Sequence, residues 1–150
     1  MRALIQRVQE ATVSIAKEPH SRIGKGLLVL LGIESDDTEE DVSWLTGKVA
    51  KIRIFDDGSG HMNLSLSDID GEMLVVSQFT LHANTKKGNR PSFIRAARPE
   101  HAIPLYEKFI SALEMEISKP VSTGEFGAEM QISLTNDGPV TIWIDSRNRE

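Results

Sequence analysis

The apolar run LLVLLGI, from Leu27 to Ile33, constrains the fold of this chain most strongly. It has the length of a strand and is far too short to span a membrane as a helix. A strand made almost entirely of apolar residues is typically buried on both faces, so the run predicts a central strand of a sheet. The chain has 150 residues, of which 39% are hydrophobic. That size and composition predict a single domain covering residues 1–150.

Strands and two amphipathic helices are predicted around this central strand. Apolar-polar alternation predicts two strands before it, at Ala3 to Val8 and at Ala11 to Ile15. Two apolar stripes at helical spacing predict the helices, with members Val42, Leu45, Val49 and Ile52 in the first and Leu105, Phe109, Ala112 and Ile117 in the second. The order is β-β-β-α-β followed by β-α-β-β. This order predicts an α+β fold, with mostly antiparallel strands forming a sheet or barrel-like core and two amphipathic helices.

The segment TNDGPVT, from Thr135 to Thr141, lies between two further strand-like runs, MQISL and VTIWI. Asn-Asp-Gly between such runs predicts a tight turn, and hence a closing hairpin. Pro139 is unusual there because it has no N–H group to donate to the ladder of the returning strand. On the residues alone, it is a plain turn proline.

Composition removes several classes of protein. The chain has no cysteine, which excludes disulfides, thiolate nucleophiles and cysteine-ligated zinc. The N-terminal segment has no apolar core of a signal peptide, and no apolar run is long enough to cross a membrane. The four histidines are scattered, without the spacing of metal ligands, so no histidine metal site is expected. We therefore expect a cytoplasmic protein.

A basic segment stands out on a chain of net charge −5. Between Met73 and Pro99 there is no Asp or Glu, and the cations of the segment are Lys86, Lys87, Arg90, Arg95 and Arg98. The acidic balance of the whole chain argues against broad nucleic-acid binding, including DNA. The segment is either a solvated loop or a small contact surface for the phosphates of a large anion.

The stretch SQFTL, from Ser77 to Leu81, is where chemistry is most expected. A strongly apolar strand, MLVV, breaks there into Ser77, Gln78, Phe79 and Thr80. Small polar groups at the end of a buried strand commonly present hydrogen-bond donors to a ligand. The alternative is that Ser77 and Thr80 only satisfy nearby backbone groups.

The combination of motifs resembles the D-aminoacyl-tRNA deacylase family. SQFTL-x-A at 77–83, KGNRPSF at 87–93, FGA-x-M at 126–130 and NDGPVT at 136–141 occur in this order after an opening MRA-x-x-QRV. The resemblance covers essentially the whole chain. It implies a homodimeric cytoplasmic enzyme without metal or cofactor. Such enzymes hydrolyse the ester that joins a D-amino acid to the terminal adenosine of tRNA, and many also clear glycine misattached to the tRNA for alanine.

The resemblance also implies roles for particular residues. Ser77, Gln78, Phe79 and Thr80 would form the catalytic strand end, with backbone N–H groups near Phe79 and Thr80 polarising the ester and the tRNA 2′-hydroxyl assisting. Phe126 and Met130 would hold the terminal adenine; the alternative, strongest for Met130, is that both are core residues of the hairpin. Lys86, Lys87 and Arg90 would contact tRNA.

Gly138 and Pro139, joined by a cis peptide bond, would form a wall in the partner subunit's site that rejects L-aminoacyl esters. Two alternative functions fit the same residues. One is a non-catalytic RNA-end binding module, and the other is an ordinary esterase or peptidase with Thr80 as nucleophile.

Overall fold

A computed structural model describes residues 1–150, and its longest strands are β1 (Arg2–Ile15) and β8 (Met130–Asp145). One edge of β1 pairs with β3 (Gly26–Gly32) and then with β2 (Glu18–Ile23), both antiparallel. The other edge of β1 pairs with β8 along nearly its whole length. The prediction of two separate N-terminal strands is therefore wrong. The polar residues between the two alternating segments are exposed parts of one strand, whose pairing on both edges holds it continuous.

The predicted central strand β3 joins the antiparallel half of the sheet to a parallel half. It pairs in parallel with β6 (Glu72–Ser77), and β6 pairs in parallel with the short β7 (Ser122–Thr123). Ser21 on β2 donates its hydroxyl to the carbonyl of Thr123 at 2.8 Å, so the two ends of the sheet approach each other. The sheet is mixed and nearly closed into a barrel, which confirms the α+β prediction.

Both predicted helices form, and they cover one face of the sheet. They are α1 (Glu39–Lys51) and α2 (Pro99–Ile117), and their apolar stripes enter a large core together with Leu27, Val29 and Leu31 of β3. A smaller core fills the barrel side, where Leu28 packs with residues of β1 and β6. Alternate residues of β3 thus enter opposite cores, as expected of a strand buried on both faces. Neither helix combines the length and the hydropathy that crossing a membrane requires.

The remaining elements are a two-stranded ribbon and a short helical turn. β4 (Phe55–Asp56) and β5 (Met62–Leu64) form the ribbon, and residues Phe79–His82 form a 3₁₀ turn directly after β6.

The predicted closing hairpin is absent. Residues Met130–Asp145 form one strand, and both halves of it pair with β1 in the same antiparallel direction. The segment that resembled a hairpin turn is a bulge: Val8 pairs with Asn136 and Gln6 with Thr141, so Asp137 to Val140 stand opposite Arg7 alone. The Asn-Asp-Gly-Pro signal marked a real departure from the strand. It did not reverse the chain, because β1 is long enough to pair with both halves.

Candidate active site

The SQFT segment lies where the chain leaves the parallel ladder of β3 and β6. Ser77 is the last residue of β6 and pairs with Leu31. The N–H of Gln78 continues the ladder by donating to the carbonyl of Leu31 at 2.7 Å. The chain then turns into the 3₁₀ segment, which places Phe79 and Thr80 at the surface.

The turn leaves backbone donors at its start. Its first hydrogen bond of 3₁₀ type runs from the N–H of Leu81 to the carbonyl of Gln78 at 3.2 Å. The N–H groups of Phe79 and Thr80 precede that bond, and N–H groups at the start of a helical turn have no partner within the turn. The strand end therefore provides two consecutive donors beside an exposed polar side chain.

The hydroxyl of Thr80 is held by an amide and not by a base. Gln78 donates its Nε2 to Thr80 Oγ1 at 2.6 Å. No histidine or carboxylate is hydrogen-bonded to this hydroxyl, whereas an activated Ser or Thr nucleophile normally has a base as its partner. The geometry fits a positioned polar group better than it fits an activated nucleophile.

A small cavity of about 70 Å³ opens beside this strand end. Ser77, Gln78 and Phe79 form one side of it, and Phe126 and Gly127 form another. The remaining lining residues are apolar and come from β3, from the residue directly after it, from the start of α2 and from the segment before α2: Leu31, Ile33, Ala102 and Ala97. The lining is mostly apolar with a few polar groups at one end, as in small-ligand sites, although the cavity of this single chain is smaller than the roughly 300 Å³ at which such sites begin.

Phe126 is fixed in this cavity by a buried tyrosine. Its ring lies 5.9 Å from that of Tyr106 in an edge-to-face arrangement. Tyr106 donates its hydroxyl to the carbonyl of Val75 at 3.1 Å, and burial raises the pKa of Tyr106 to about 12. The tyrosine is therefore a neutral hydrogen-bond donor that anchors the aromatic wall to β6.

Met130 lies elsewhere. It packs against the smaller core, and a Cβ added to Gly124 would come within 2.5 Å of its sulfur. Met130 does not line the cavity that Phe126 lines. The sequence grouped these two residues in one motif, and the structure separates their surroundings.

The cationic residues that the sequence singled out lie next to the site on a second ribbon, residues 84–92, which is separate from the ribbon of β4 and β5. Asn84 and Ser92 exchange two backbone hydrogen bonds, at 2.8 and 2.9 Å, and so close the loop that carries Lys86, Lys87 and Arg90. Phe93, which follows the ribbon, contacts Phe79 edge to face with ring centroids 5.2 Å apart. The ribbon is thus attached to the rim of the cavity.

The bulge in β8 carries the Gly138–Pro139 peptide bond, which is cis. Both residues are exposed, and Gly138 has a φ of +127°. Arg7 braces the bulge, because its Nε donates to the carbonyl of Asp137 at 3.0 Å and its Nη1 to the carbonyl of Ile54 at 2.6 Å. The exposed tip is therefore held by a half-buried guanidinium beneath it.

The neck of the bulge is closed by Asn136. Its Oδ1 accepts the N–H of Val140 at 3.1 Å, and its Nδ2 donates to Thr141 Oγ1 at 3.0 Å. Gln6 on β1 also donates to that hydroxyl, at 3.3 Å. Asn136 therefore shapes the bulge within its own chain.

The bulge and the cavity lie at different ends of the sheet. The bulge is opposite the stretch of β1 that pairs with Gly26, whereas Ser77 pairs with Leu31. Five residues along β3 correspond to about 16 Å, and the three strand spacings from β8 to β6 to about 14 Å. The cavity has no lining residue from the bulge. Within one chain, the two signature motifs do not form one site.

His82 lies behind the 3₁₀ turn and is 1% exposed. Neither of its ring nitrogens has a hydrogen-bond partner, and burial, with Arg2 nearby, lowers its pKa. Arg2 also donates to the carbonyl of Leu81 at 2.9 Å. The turn that presents Phe79 and Thr80 thus rests on a neutral histidine and an arginine.

Comparison with known proteins identifies the family. The family model for D-Tyr-tRNA(Tyr) deacylase matches residues 4–145. The chain belongs to this family. This membership confirms the predicted enzyme class, a D-aminoacyl-tRNA deacylase, which is a carboxylic ester hydrolase.

Curated relatives align over their entire lengths. A D-aminoacyl-tRNA deacylase of Cytophaga hutchinsonii is 63% identical over 150 residues, and one of Flavobacterium johnsoniae is 59% identical, each with full coverage of both chains. Among solved structures, the c-Myc DNA Unwinding Element Binding Protein superposes with a TM-score of 0.90 at 40% identity, covering 97% of this chain and 98% of the other. A probable eukaryotic D-amino acid tRNA deacylase superposes with a TM-score of 0.81 at 18% identity, which supports the fold alone.

Several residues of the site were not found from sequence. Arg7 and the apolar lining residues Leu31, Ala97 and Ala102 have no local signal, because each acquires its role only when distant segments meet. The QRV of the opening motif contains Arg7, but one arginine at the polar position of an alternating strand looks like any exposed strand residue.

Proposed function

We propose that this protein is an aminoacyl-tRNA editing hydrolase that cleaves the ester of D-aminoacyl-tRNA, and of glycine mischarged on the tRNA for alanine, while sparing L-aminoacyl-tRNA. The observation that carries the proposal is the cavity at the end of β6, where Ser77, Gln78 and Phe79 meet Phe126, in a chain of the D-Tyr-tRNA(Tyr) deacylase family. Residues 1–150 act as one such domain. We place the reaction in the cytoplasm, where charged tRNA is used.

Hydrolysis in this site relies on positioning and on backbone donors. An aminoacyl ester is already activated, and the ribose 2′-hydroxyl beside it can assist attack by water. The N–H groups of Phe79 and Thr80 are suited to stabilise the negative charge that develops on the carbonyl oxygen. Gln78 holds Thr80 in place at 2.6 Å, which supports positioning as the role of Thr80.

The terminal adenosine is held by the aromatic wall. Phe126 offers a ring face or edge to adenine, and its contact with Tyr106 fixes that ring. Met130 supports only the loop that carries Phe126, since it packs against Gly124 of that loop and does not line the cavity. Lys86, Lys87 and Arg90 contact the phosphates of the tRNA. We expect no DNA substrate and no metal or cofactor requirement.

Selectivity against L-amino acids comes from the bulge of a second copy of the chain. Gly138 and Pro139 are exposed and braced, and they lie far from the cavity of their own chain. A rigid backbone wall there leaves room for hydrogen but not for an L side chain, so glycine passes. Each tenfold of discrimination needs about 1.4 kcal/mol, which steric overlap readily supplies.

The homodimer that this arrangement requires is supported by the edge of β8. This strand pairs with β1 on one side only, and its other edge runs free over residues Met130–Asp145. Leu134 and Trp143 are exposed along it. A long edge strand with exposed apolar side chains is a pairing surface that a monomer rarely keeps.

Single-turnover hydrolysis of D-Tyr-tRNA, L-Tyr-tRNA and Gly-tRNA tests the function. Hydrolysis of D-Tyr-tRNA and Gly-tRNA, without hydrolysis of L-Tyr-tRNA, supports the proposal that the protein is an editing hydrolase. Binding of charged tRNA without turnover supports the non-catalytic RNA-end binding module. Turnover of simple D-amino acid esters without tRNA supports the ordinary esterase.

The role of Thr80 has its own test. Thr80→Ala should retain most single-turnover activity if Thr80 only positions the ester. Complete loss of hydrolysis, with tRNA binding intact, would show that Thr80 is a nucleophile.

A further inference from the structure

A groove of about 560 Å³ lies next to the cavity, on the ribbon of residues 84–92 and the residues that follow it. Lys86, Lys87, Arg90 and Arg95 line it, and Ile94 is its one hydrophobic lining residue. Ile94 is 89% exposed, which is the highest value among the large hydrophobic side chains of the chain. A single exposed apolar side chain is ordinary on a protein surface, but at this place it offers a ligand in the groove an apolar contact beside the cations.

The groove and the cavity are immediate neighbours. Arg95 lines the groove and Ala97, two residues later, lines the cavity. Consecutive Cα atoms are about 3.8 Å apart, so this step spans at most about 7.6 Å. The contact between Phe79 and Phe93 connects the same two sites on the other side. The groove therefore adjoins the cavity and offers a short path to a chain that ends there.

The framework of the groove is fixed in place. The two backbone hydrogen bonds between Asn84 and Ser92 close its base. Arg95 pairs with the buried carboxylate of Glu34, and Ala97 donates its N–H to the carbonyl of Ile33 at 2.9 Å. The half of the groove that contains Ile94 is thus tied to the sheet, while Lys86, Lys87 and Arg90 extend into solvent without an ion-pair partner.

We infer that this groove binds the unpaired nucleotides directly before the terminal adenosine, and not the double-stranded acceptor stem. This inference rests on the proposed function. Stacked nucleotides are about 3.4 Å apart, so a step of at most about 7.6 Å brings the groove within two or so nucleotides of the terminal adenosine. Its volume matches the class of pockets that hold ligands of drug size, which a single nucleotide resembles.

Each part of the groove has a role that suits single-stranded RNA. Lys86, Lys87 and Arg90 neutralise phosphates, whereas Ile94 contacts the face of an unstacked base or its ribose. A duplex stem would present phosphates, 2′-hydroxyls and base edges but no base face to Ile94, because its base faces are stacked inside the helix.

Two substrates separate these possibilities: full-length D-Tyr-tRNA, and a short single-stranded RNA that ends in the same CCA sequence and is charged with D-tyrosine. Lys86→Ala combined with Lys87→Ala should lower kcat/KM roughly tenfold on both substrates, with a shallower salt dependence. Ile94→Ser should lower it about 3- to 10-fold on both, with little change in salt dependence. A loss confined to the full-length tRNA would assign the groove to the stem and overturn the inference.

Matched controls lie on the helices. Lys51→Ala removes an exposed lysine of α1, and Met115→Ser removes an exposed apolar side chain of α2. Both should leave kcat/KM on either substrate unchanged, and an effect as large as that of the groove variants would also contradict the inference. If the unaltered protein hydrolyses neither D-Tyr substrate, the proposed function itself fails, which is distinct from any result with the variants.

Discussion

The cavity at the end of β6 and the bulge in β8 both occur where a strand departs from regular pairing, but they are stabilised differently. The cavity is built on the most buried part of the sheet, and its polar residues extend a parallel ladder by one hydrogen bond. The bulge is exposed, belongs to an edge strand and is held by side chains from beneath. The first region is a pocket that the fold supplies, whereas the second is an exposed, braced segment that does not line the cavity of its own chain.

This contrast implies that the two regions can be damaged separately. Changes behind the 3₁₀ turn should remove hydrolysis without altering the preference for D over L. Changes beneath the bulge should reduce that preference while hydrolysis of D esters remains.

The largest effect is expected from Gly32→Ala, behind the cavity. The added Cβ would lie 3.0 Å from the carbonyl oxygen of Gln78 and 3.1 Å from His82 Cδ2, so the turn must shift. A misplacement of about 1 Å costs about 100-fold in rate, and here the neighbours must move by a few tenths of an ångström, so we expect a loss of roughly 10- to 100-fold in single-turnover hydrolysis of D-Tyr-tRNA. Gly47→Ala is the control, because nothing lies within 4 Å of its added Cβ. Equal rates for the two variants would contradict this description of the pocket.

The second-largest effect is expected from Arg7→Ala, which should loosen the bulge. It removes the donors to the carbonyls of Asp137 and Ile54, and we expect a loss of about 1–3 kcal/mol in the free energy of unfolding. We also expect measurable hydrolysis of L-Tyr-tRNA, with D-Tyr-tRNA still cleaved. Arg22→Ala, which removes an exposed ion pair with Glu10, should do neither. An Arg7 variant that still spares the L ester would show that the bulge needs no brace.

Asn136→Ala should have a smaller effect in the same direction. It opens the neck of the bulge by removing the bonds to Val140 and Thr141, but leaves Arg7 in place. The two hydrogen bonds are together worth about 1–2 kcal/mol, so D-over-L selectivity should fall by at most about 5- to 30-fold. The ratio of the two single-turnover rates measures this, with Asn148→Ala as the control. A fall in D hydrolysis with an unchanged ratio would place Asn136 in the pocket's chemistry instead.

The smallest effect concerns pH and His82. Burial lowers its pKa in the folded chain; the backbone of Gly32 and the carboxylate of Glu34 favour a positive charge there, whereas Arg2 opposes one. In the unfolded chain, His82 has a pKa near its ordinary value of 6.5. The contribution of His82 to the free energy of unfolding is therefore full above pH 6.5. It falls as the pH drops from 6.5 toward the pKa of the folded chain, by at most about 1.4 kcal/mol per pH unit. Urea unfolding of the His82→Leu variant should lose this slope, whereas a variant of the exposed His20 should keep it; identical slopes would mean that His82 does not titrate on unfolding.

The sequence predicted the pocket better than the bulge, for a physical reason. LLVLLGI and SQFTL are local signals of a buried strand and of its polar end, and both lie where they were expected. TNDGPVT is equally local, but whether such a segment reverses the chain depends on the length of β1, which is more than a hundred residues away in sequence. Phe126 and Met130 share a motif, yet only tertiary packing decides that one lines the cavity and the other a core. Arg7 on β1 braces the bulge of β8, and Asn136 on β8 closes the bulge beside β1, so both roles arise only when these two strands pair.

The most direct test of the account uses a dimer made from two different variants. One subunit carries Gly32→Ala, which disables its pocket, and the other carries Arg7→Ala, which loosens its bulge. If the bulge acts in the partner's site, the one working pocket faces an intact bulge, and the isolated mixed dimer should cleave D-Tyr-tRNA and spare L-Tyr-tRNA. Hydrolysis of L-Tyr-tRNA at half or more of the rate of the Arg7→Ala dimer would show that each pocket uses its own bulge, and would contradict the account.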